Sequence, residues 1–184
     1  MLRALPLLLV AVLPAGCSLP EAPPLRPAET RPAGSAEVSG GLPVPTDAQT
    51  AVVVSVTDGD TVRLRGRGTG PVPGESTRVR ILLVDTPEVH QEVECFGPEA
   101  SARAEQLVPP GSTVRVQADA DAEDRFGRLL LHVWNAEGVN LGEALVAEGY
   151  ATVRQIDPNR RYLEQFEARE QEARRAGRGL WSAC

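Results

Sequence analysis

Thr77-Arg78-Val79-Arg80-Ile81-Leu82-Leu83-Val84-Asp85-Thr86-Pro87-Glu88 decides how the rest of the chain is read. Its β-branched and aliphatic residues predict a strand over residues 77–84. Pro87 cannot continue a hydrogen-bonded ladder, so the strand ends just before it. The strand therefore delivers one carboxylate at its end, Asp85, and a second beyond the proline, Glu88. Arg80 lies inside an otherwise apolar run, and a charge buried there needs a partner or a chemical task.

Two further strands are predicted upstream. Ala51–Val56 is rich in valine, and Thr61-Val62-Arg63-Leu64-Arg65 alternates apolar and charged residues. Between them lies Thr57-Asp58-Gly59-Asp60-Thr61, which on its own reads as a turn carrying two carboxylates. Gly66 to Ser76 is rich in Gly and Pro and predicts a long hairpin loop. Downstream, Pro98 opens a helix with Ala100, Ala104 and Leu107 as its apolar stripe. Thr113–Val116 and Leu129–Trp134 predict two more strands. Asn140 with Glu143 three residues on has the spacing of a capping box, and Gly149 closes that helix. Arg161–Arg175 predicts a charged helix with Leu163, Phe166 and Ala173 inward, stopped by Gly177 and Gly179. Five strands interleaved with helices predict a small α+β, mainly-β domain, for which a closed five-stranded barrel is a natural solution.

Composition narrows the function. The chain has 184 residues, which suits one domain. All 19 basic residues are Arg, set against 25 acidic ones, for a formal charge of −6. Residues 48–184 alone hold 16 Arg and 21 Asp or Glu. That balance excludes a protein that coats nucleic acid by bulk charge, and leaves room for a local anion site.

The N-terminal residues read as export machinery. Arg3 precedes an apolar run from Ala4 to Leu13, shorter than the ~20 residues a membrane-spanning helix needs. Ala15-Gly16-Cys17 resembles a bacterial lipoprotein cleavage box, although Pro14 stands where a branched apolar residue is usual. Residues 1–17 are expected to form a signal peptide ending in a lipidated Cys17. Ordinary secretory cleavage nearby, giving a secreted or periplasmic soluble protein, is the rival. Residues 18–48 are rich in Pro and predict a tether. The folded domain is expected over residues 49–184.

Asp124-Arg125-Phe126-Gly127-Arg128 adds a turn with two arginines ahead of an apolar strand. With Asp58, Asp60, Asp85, Glu88 and Arg80 it completes an inventory suited to metal-assisted phosphodiester hydrolysis. Hard carboxylate oxygens suit Ca²⁺ or Mg²⁺. A further carboxylate can activate water. Arg forks match phosphate oxygens and offset the charge of the transition state.

Asp58-Gly-Asp60-Thr, Arg80, Val84-Asp-Thr-Pro-Glu88, Phe96-Gly-Pro-Glu-Ala-Ser101, Asp124-Arg-Phe-Gly-Arg128, Asn140 through Ala147 and Gly179-Leu-Trp-Ser182 together resemble the staphylococcal nuclease (thermonuclease) family. The resemblance covers about residues 50–182 in order. It implies a five-stranded OB-fold Greek-key barrel with three helices. It implies Ca²⁺ as cofactor, with Asp60, Asp85 and the Thr86 carbonyl as ligands. Glu88 would hold the attacking water, and Arg80 and Arg128 would clamp the scissile phosphate. Asp58 would support the metal, and Arg125 would touch substrate. The implied reaction is endonucleolytic hydrolysis of DNA or RNA leaving 3′-phosphate ends. Phe126 stands where the family has Tyr, and Arg125 where it has Lys. The segment Thr152–Pro158 lacks the family's tyrosines, with Arg154 or Gln155 in their place.

The remaining candidates are weaker. Arg63, Arg65 and Arg67 read as a solvated strand face. His90 and His132 lack metal-ligand spacing. Trp134 and Trp181 suit packing better than base stacking. Cys95 and Cys184 would pair in an exported domain, with two free thiols as the alternative. The domain is expected to be a monomer whose partners are its nucleic-acid substrate and, through Cys17, a membrane. A non-catalytic nucleic-acid- or protein-binding OB module is the competing class.

Overall fold

The computed structural model describes residues 40–184, apart from residues 69 and 91. The expected signal peptide, most of the expected tether and Cys17 lie outside the described residues. Eleven elements follow in order: β1 (Gln49–Val56), β2 (Thr61–Gly66), β3 (Thr77–Ile81), β4 (Leu83–Asp85), α1 (Gly97–Leu107), β5 (Thr113–Glu123), β6 (Leu129–Trp134), α2 (Leu141–Glu148), β7 (Thr152–Arg154), α3 (Leu163–Arg175) and α4 (Leu180–Ala183). Strands close into a barrel in the order β1-β2-β3-β6-β5, with β3 and β6 parallel and the other contacts antiparallel. This is the five-stranded OB-type barrel with three principal helices, α1 to α3, that the sequence predicts.

Alternation sets the barrel's faces. In β2, Val62 and Leu64 are buried while Arg63 and Arg65 are exposed. Val53, Val79, Ile81, Val114, Val116, Leu131 and Val133 complete the interior. α2 packs against β6, β4, α1 and α3, burying Leu141, Leu145 and Val146. α3 packs Phe166 and Ala173 inward.

The strand expected over residues 77–84 is two strands. The chain turns at Leu82, Leu83 takes φ 65°, and β4 leaves the barrel to pair with β7. A branched-chain residue in the left-handed region costs about 1–2 kcal/mol. Complete burial of Leu82, Leu83 and Val84 offsets that cost. β5 runs well beyond the expected Val116, to Glu123, through an Ala/acid alternation of low strand propensity.

Helix caps form with one difference. Asn140 Oδ1 accepts the Glu143 N–H at 2.9 Å, and Gly149 at φ 80° ends α2. The Glu143 carboxylate does not return to Asn140. It accepts the Leu42 N–H at 2.7 Å and Arg169 Nε at 3.0 Å. Residues 40–48, read from sequence as the end of a tether, thereby lie against the barrel, with the Leu42 carbonyl accepting Trp134 Nε1–H at 3.0 Å. Trp134 is fully buried, and Trp181 lies under the Arg174 guanidinium at 4.2 Å. Cys95 and Cys184 are bonded, with Cα atoms 5.9 Å apart and a sequence separation of 89. A cross-link closing so long a loop contributes about 4–5 kcal/mol in the chain-entropy account.

His132 is 1% exposed, ringed by Tyr162 at 5.0 Å, Trp134 at 6.1 Å and Phe166 at 6.2 Å. Neither ring nitrogen has a hydrogen-bond partner among the described residues. Burial pushes its pKa down to about 4, against a weak upward pull from Asp119. The folded protein thus holds a neutral imidazole, while the unfolded chain binds a proton below about pH 6.5. Stability from this site is present above pH 6.5 and is lost as pH falls toward 4, on the order of 3 kcal/mol. Urea unfolding at pH 7 and pH 4 should show a larger acid loss for wild type than for His132→Leu. Carboxylates titrate in both, so equal losses would refute the assignment.

Candidate active site

Turn chemistry places the first carboxylates. The Asp58 carboxylate accepts the Asp60 N–H at 3.0 Å, and the Thr57 and Asp58 N–H groups donate to the Thr61 carbonyl. This fixes the β1–β2 turn and aims Asp60 inward. Asp60 Oδ1 accepts the Thr61 hydroxyl at 3.0 Å, and Oδ2 accepts the Thr86 N–H at 3.2 Å. Asp60 is only 8% exposed. Burial pushes its pKa up to about 6, Arg80 pulls it down less strongly, and Asp58 adds a smaller upward push.

Arg80 meets the expectation of a partner and exceeds it. Nη1 donates to the carbonyls of Ile81 at 3.0 Å and Val84 at 2.6 Å. Nη2 donates to Asp85 Oδ1 at 2.9 Å and lies 3.1 Å from Asp60 Oδ2. One guanidinium therefore braces the β3–β4 break and links both strand-end carboxylates. Asp85 also meets Arg154 Nη1, 3.1 Å from each of its oxygens. Arg154 follows from the pairing of β4 with β7, in which Leu83 opposes Arg154 and Asp85 opposes Thr152.

Glu88 lies on the loop after β4. Its N–H donates to Glu94 Oε2 at 3.0 Å, and the Glu94 N–H returns to the Glu88 carbonyl at 2.9 Å. Gly97, at the start of α1, lets this loop pass: a Cβ there would stand 2.6 Å from the Glu88 carbonyl oxygen. The Glu88 side chain is exposed and its carboxylate has no hydrogen-bond partner among the described residues.

Arg128 arrives from the start of the β6 segment. Its Nε donates to Asp124 Oδ2 at 2.7 Å, and its N–H and that of Phe126 both donate to Asp124 Oδ1 at 2.9 Å. Burial alone would raise Asp124, but these hydrogen bonds win and hold its carboxyl below the usual range. The terminal nitrogens of Arg128 have no partner among the described residues.

Asp58, Asp60, Arg80, Asp85, Glu88, Arg125 and Arg128 line one cleft of about 460 Å³. All of the expected site side chains are thus brought together, with Thr86 adjoining through its bond to Asp60. Arg63 and Arg65 are exposed and do not line the cleft, as a solvated face requires. His90 lies beside it, Nε2 4.0 Å from Asp58 Oδ2. Arg154, one of the two residues standing in place of the family's tyrosines, also lines the cleft, as do Asp121, Glu123 and Asp157, for which the sequence carries no local signal. Among the described residues no three His, Cys, Asp or Glu side chains converge to hold a metal ion by themselves. Asp60 and Asp85 nonetheless fit two positions of a hard cation's shell. Both offer carboxylate oxygens, and burial works against the charged form of Asp60 despite its contact with Arg80.

Comparison with known proteins fits this geometry. The family model described as staphylococcal nuclease homologue matches residues 78–183, a span that begins after Asp58 and Asp60. The thermonuclease of Staphylococcus hyicus is 31% identical over 137 residues, covering 73% of this chain and 76% of its own. Endonuclease YncB of Bacillus subtilis is 36% identical over 129 residues, covering 68% of this chain. A prophage-derived endonuclease of the same organism, YokF, is likewise 36% identical over 129 residues. The chain spans 58% and 41% of the length of these two Bacillus proteins. The chain belongs to the staphylococcal nuclease homologue family.

Proposed function

We propose that the domain is a calcium-dependent nuclease that hydrolyses phosphodiester bonds of DNA or RNA and leaves 3′-phosphate ends. The observation that carries this reading is the convergence of Asp60, Asp85, Glu88 and Arg128 on one cleft. Ca²⁺ held by Asp60, Asp85 and the Thr86 carbonyl would supply Lewis acidity toward a phosphate oxygen.

The side chains divide the remaining work. The free Glu88 carboxylate takes a proton from the attacking water, whose oxygen forms a new bond to phosphorus. The bond from phosphorus to the 5′-oxygen breaks, and that oxygen leaves with a proton taken from solvent. Arg128 offers its two terminal nitrogens as a fork for the phosphate, while Asp124 fixes the plane of that fork. Both terminal nitrogens of Arg80 already serve protein oxygens. Arg80 therefore positions the two carboxylates, and would meet the phosphate only by giving up one of these contacts. Asp58 supports Asp60 through the turn.

An unpartnered Glu88 favours cleavage over a binding-only module. A domain that merely holds nucleic acid gains nothing from an extra negative charge beside the phosphate. Digestion of single-stranded DNA by the full chain should proceed with Ca²⁺ and stop with a chelator. Glu88→Ala should lower the rate by about 10²- to 10⁴-fold while oligonucleotide affinity is kept. Wild-type cleavage by Glu88→Ala, or cleavage indifferent to the chelator, would overturn the mechanism.

We also propose that the chain is exported and tethered to a membrane through Cys17, on the strength of the Arg3, apolar-run and Ala15-Gly16-Cys17 sequence. The protein expressed in a bacterial host should partition into detergent, and Cys17→Ala should move it to the aqueous phase. Equal partitioning of both would refute the anchor.

A further inference from the structure

Half of the 16 arginines in residues 48–184 form an ion pair with a carboxylate. Arg63, Arg65 and Arg78 are exposed and have no such partner among the described residues. Strand register puts them on one surface. In the antiparallel pairing of β2 with β3, Thr61 stands opposite Arg80 and Arg63 opposite Arg78. Side chains alternate across a strand, so Thr61, Arg63 and Arg65 share the outer face of β2, and Arg78 and Arg80 that of β3. The inner face carries the buried Val62, Leu64, Val79 and Ile81.

Thr61 and Arg80 line the cleft. The next rung away from it is Arg63 beside Arg78, and Arg65 follows. Arg78 also reaches the turn that carries Arg125 and Arg128, its Nη2 donating to the Phe126 carbonyl at 3.4 Å. Arg67 lies past the end of β2 and lines a separate hollow.

This arrangement works against folding. Like charges directly opposite one another on a sheet repel, and Arg63 and Arg78 stand so. From β1, Ser55 faces Arg63 and Val52 faces Arg65. β1, β2 and β3 contain no acidic residue, although residues 48–184 hold 21. Cations kept together and free of acid are open to an anion from outside.

Geometry selects that anion. Alternate residues of a strand are ~7 Å apart, which separates Arg63 from Arg65, while Arg78 flanks Arg63 on the next strand. That step is comparable to the one between successive phosphates of a nucleic-acid strand. Guanidinium forks suit phosphate oxygens. The row begins at the rung of Arg80, so it continues the line of the cleft instead of forming a patch of its own.

We propose that Arg63, Arg65 and Arg78 form a track on the outer face of β2 and β3 that holds the phosphate backbone of the substrate strand beyond the scissile phosphate. The inference rests on the nuclease reading of the cleft and assigns the flanking part of the substrate to a surface outside it. Such contacts go to the backbone alone, so they raise affinity for long strands without reading sequence.

Fluorescence anisotropy with labelled oligothymidylates of about 3 and about 16 nucleotides and Ca²⁺ tests it, in the full chain carrying Glu88→Ala so that the strands survive. Combined Arg63→Gln, Arg65→Gln and Arg78→Gln should weaken long-strand binding by about 10- to 100-fold at low ionic strength and leave the short strand unaffected. The slope of log affinity against log salt should flatten by about 2, at about 0.7 for each phosphate released. Arg63→Gln with Arg65→Gln, which breaks no hydrogen bond among the described residues, should give about two-thirds of that flattening. Arg63→Lys, Arg65→Lys and Arg78→Lys together should retain binding. Thermal midpoints of the glutamine variants should equal or exceed that of the parent, because repulsion is removed. Unchanged long-strand affinity, an equal loss on the short strand, or a lowered midpoint in the double variant overturns the track. So does a loss of binding to phosphatidylglycerol vesicles in place of a loss on the long strand, which would assign the face to a membrane. Absence of binding to either oligonucleotide by the chain with all three arginines overturns the nucleic-acid reading beneath it.

Discussion

The guanidinium of Arg80 is the interaction on which the rest of the site depends. It is 4% exposed, and a cation so placed is destabilising unless its donors are met. Two of its bonds go to the carbonyls of Ile81 and Val84, on either side of the Leu82–Leu83 break. Those carbonyls would otherwise be buried acceptors that the interrupted ladder no longer serves. Its other nitrogen joins Asp85 and Asp60, which reach it from β4 and from the β1–β2 turn. Local backbone strain and the juxtaposition of two carboxylates are thus met by one residue. Buried ion pairs of this kind add little net stability, but losing one member leaves uncompensated charge behind. Their value is in specifying an arrangement, here the departure of β4 from the barrel toward β7.

An acidic domain proposed to handle a polyanion must concentrate its positive charge. Here three of the four cleft arginines are paired with carboxylates: Arg80 with Asp60 and Asp85, Arg128 with Asp124, Arg154 with Asp85. Such pairing orients the guanidinium but spends part of its charge. Arg154 is the loosest of the three, with a side chain 61% exposed. It covers a carboxylate proposed to meet a cation, so cation and Arg154 compete for one anion. In that light the acidic rim of Asp121, Glu123 and Asp157 makes a bound divalent ion more necessary for substrate approach.

Much of this was legible in the sequence for reasons that differ by element. β2 and the helices α1 to α3 announce themselves through alternation, Pro98, Asn140 and the glycines that stop them. Asp60, Asp85, Glu88, Arg80 and Arg128 were legible through short motifs taken jointly. The β3–β4 break was not, because Ile81-Leu82-Leu83-Val84 is buried throughout and a run with no solvent face has no phase to reveal a turn. The length of β5 was hidden by alanines and acids that are poor strand formers on their own. Glu143 looked like half of a capping box, and only tertiary contact with Leu42 and Arg169 diverts it. The sequence put Arg154 or Gln155 in place of the family's tyrosines, but the contact of Arg154 with Asp85 became visible only once β7 was seen to pair with β4.

The absence of lysine has a consequence for how the molecule's charge responds to its surroundings. Every side-chain cation apart from the two histidines is a guanidinium, which keeps its proton far into alkaline solution. Amine-directed chemistry, such as acylation or aldehyde cross-linking, finds no side chain to modify in this domain. Its cationic side chains are thus spared by the amine reagents that would neutralise a lysine-based site.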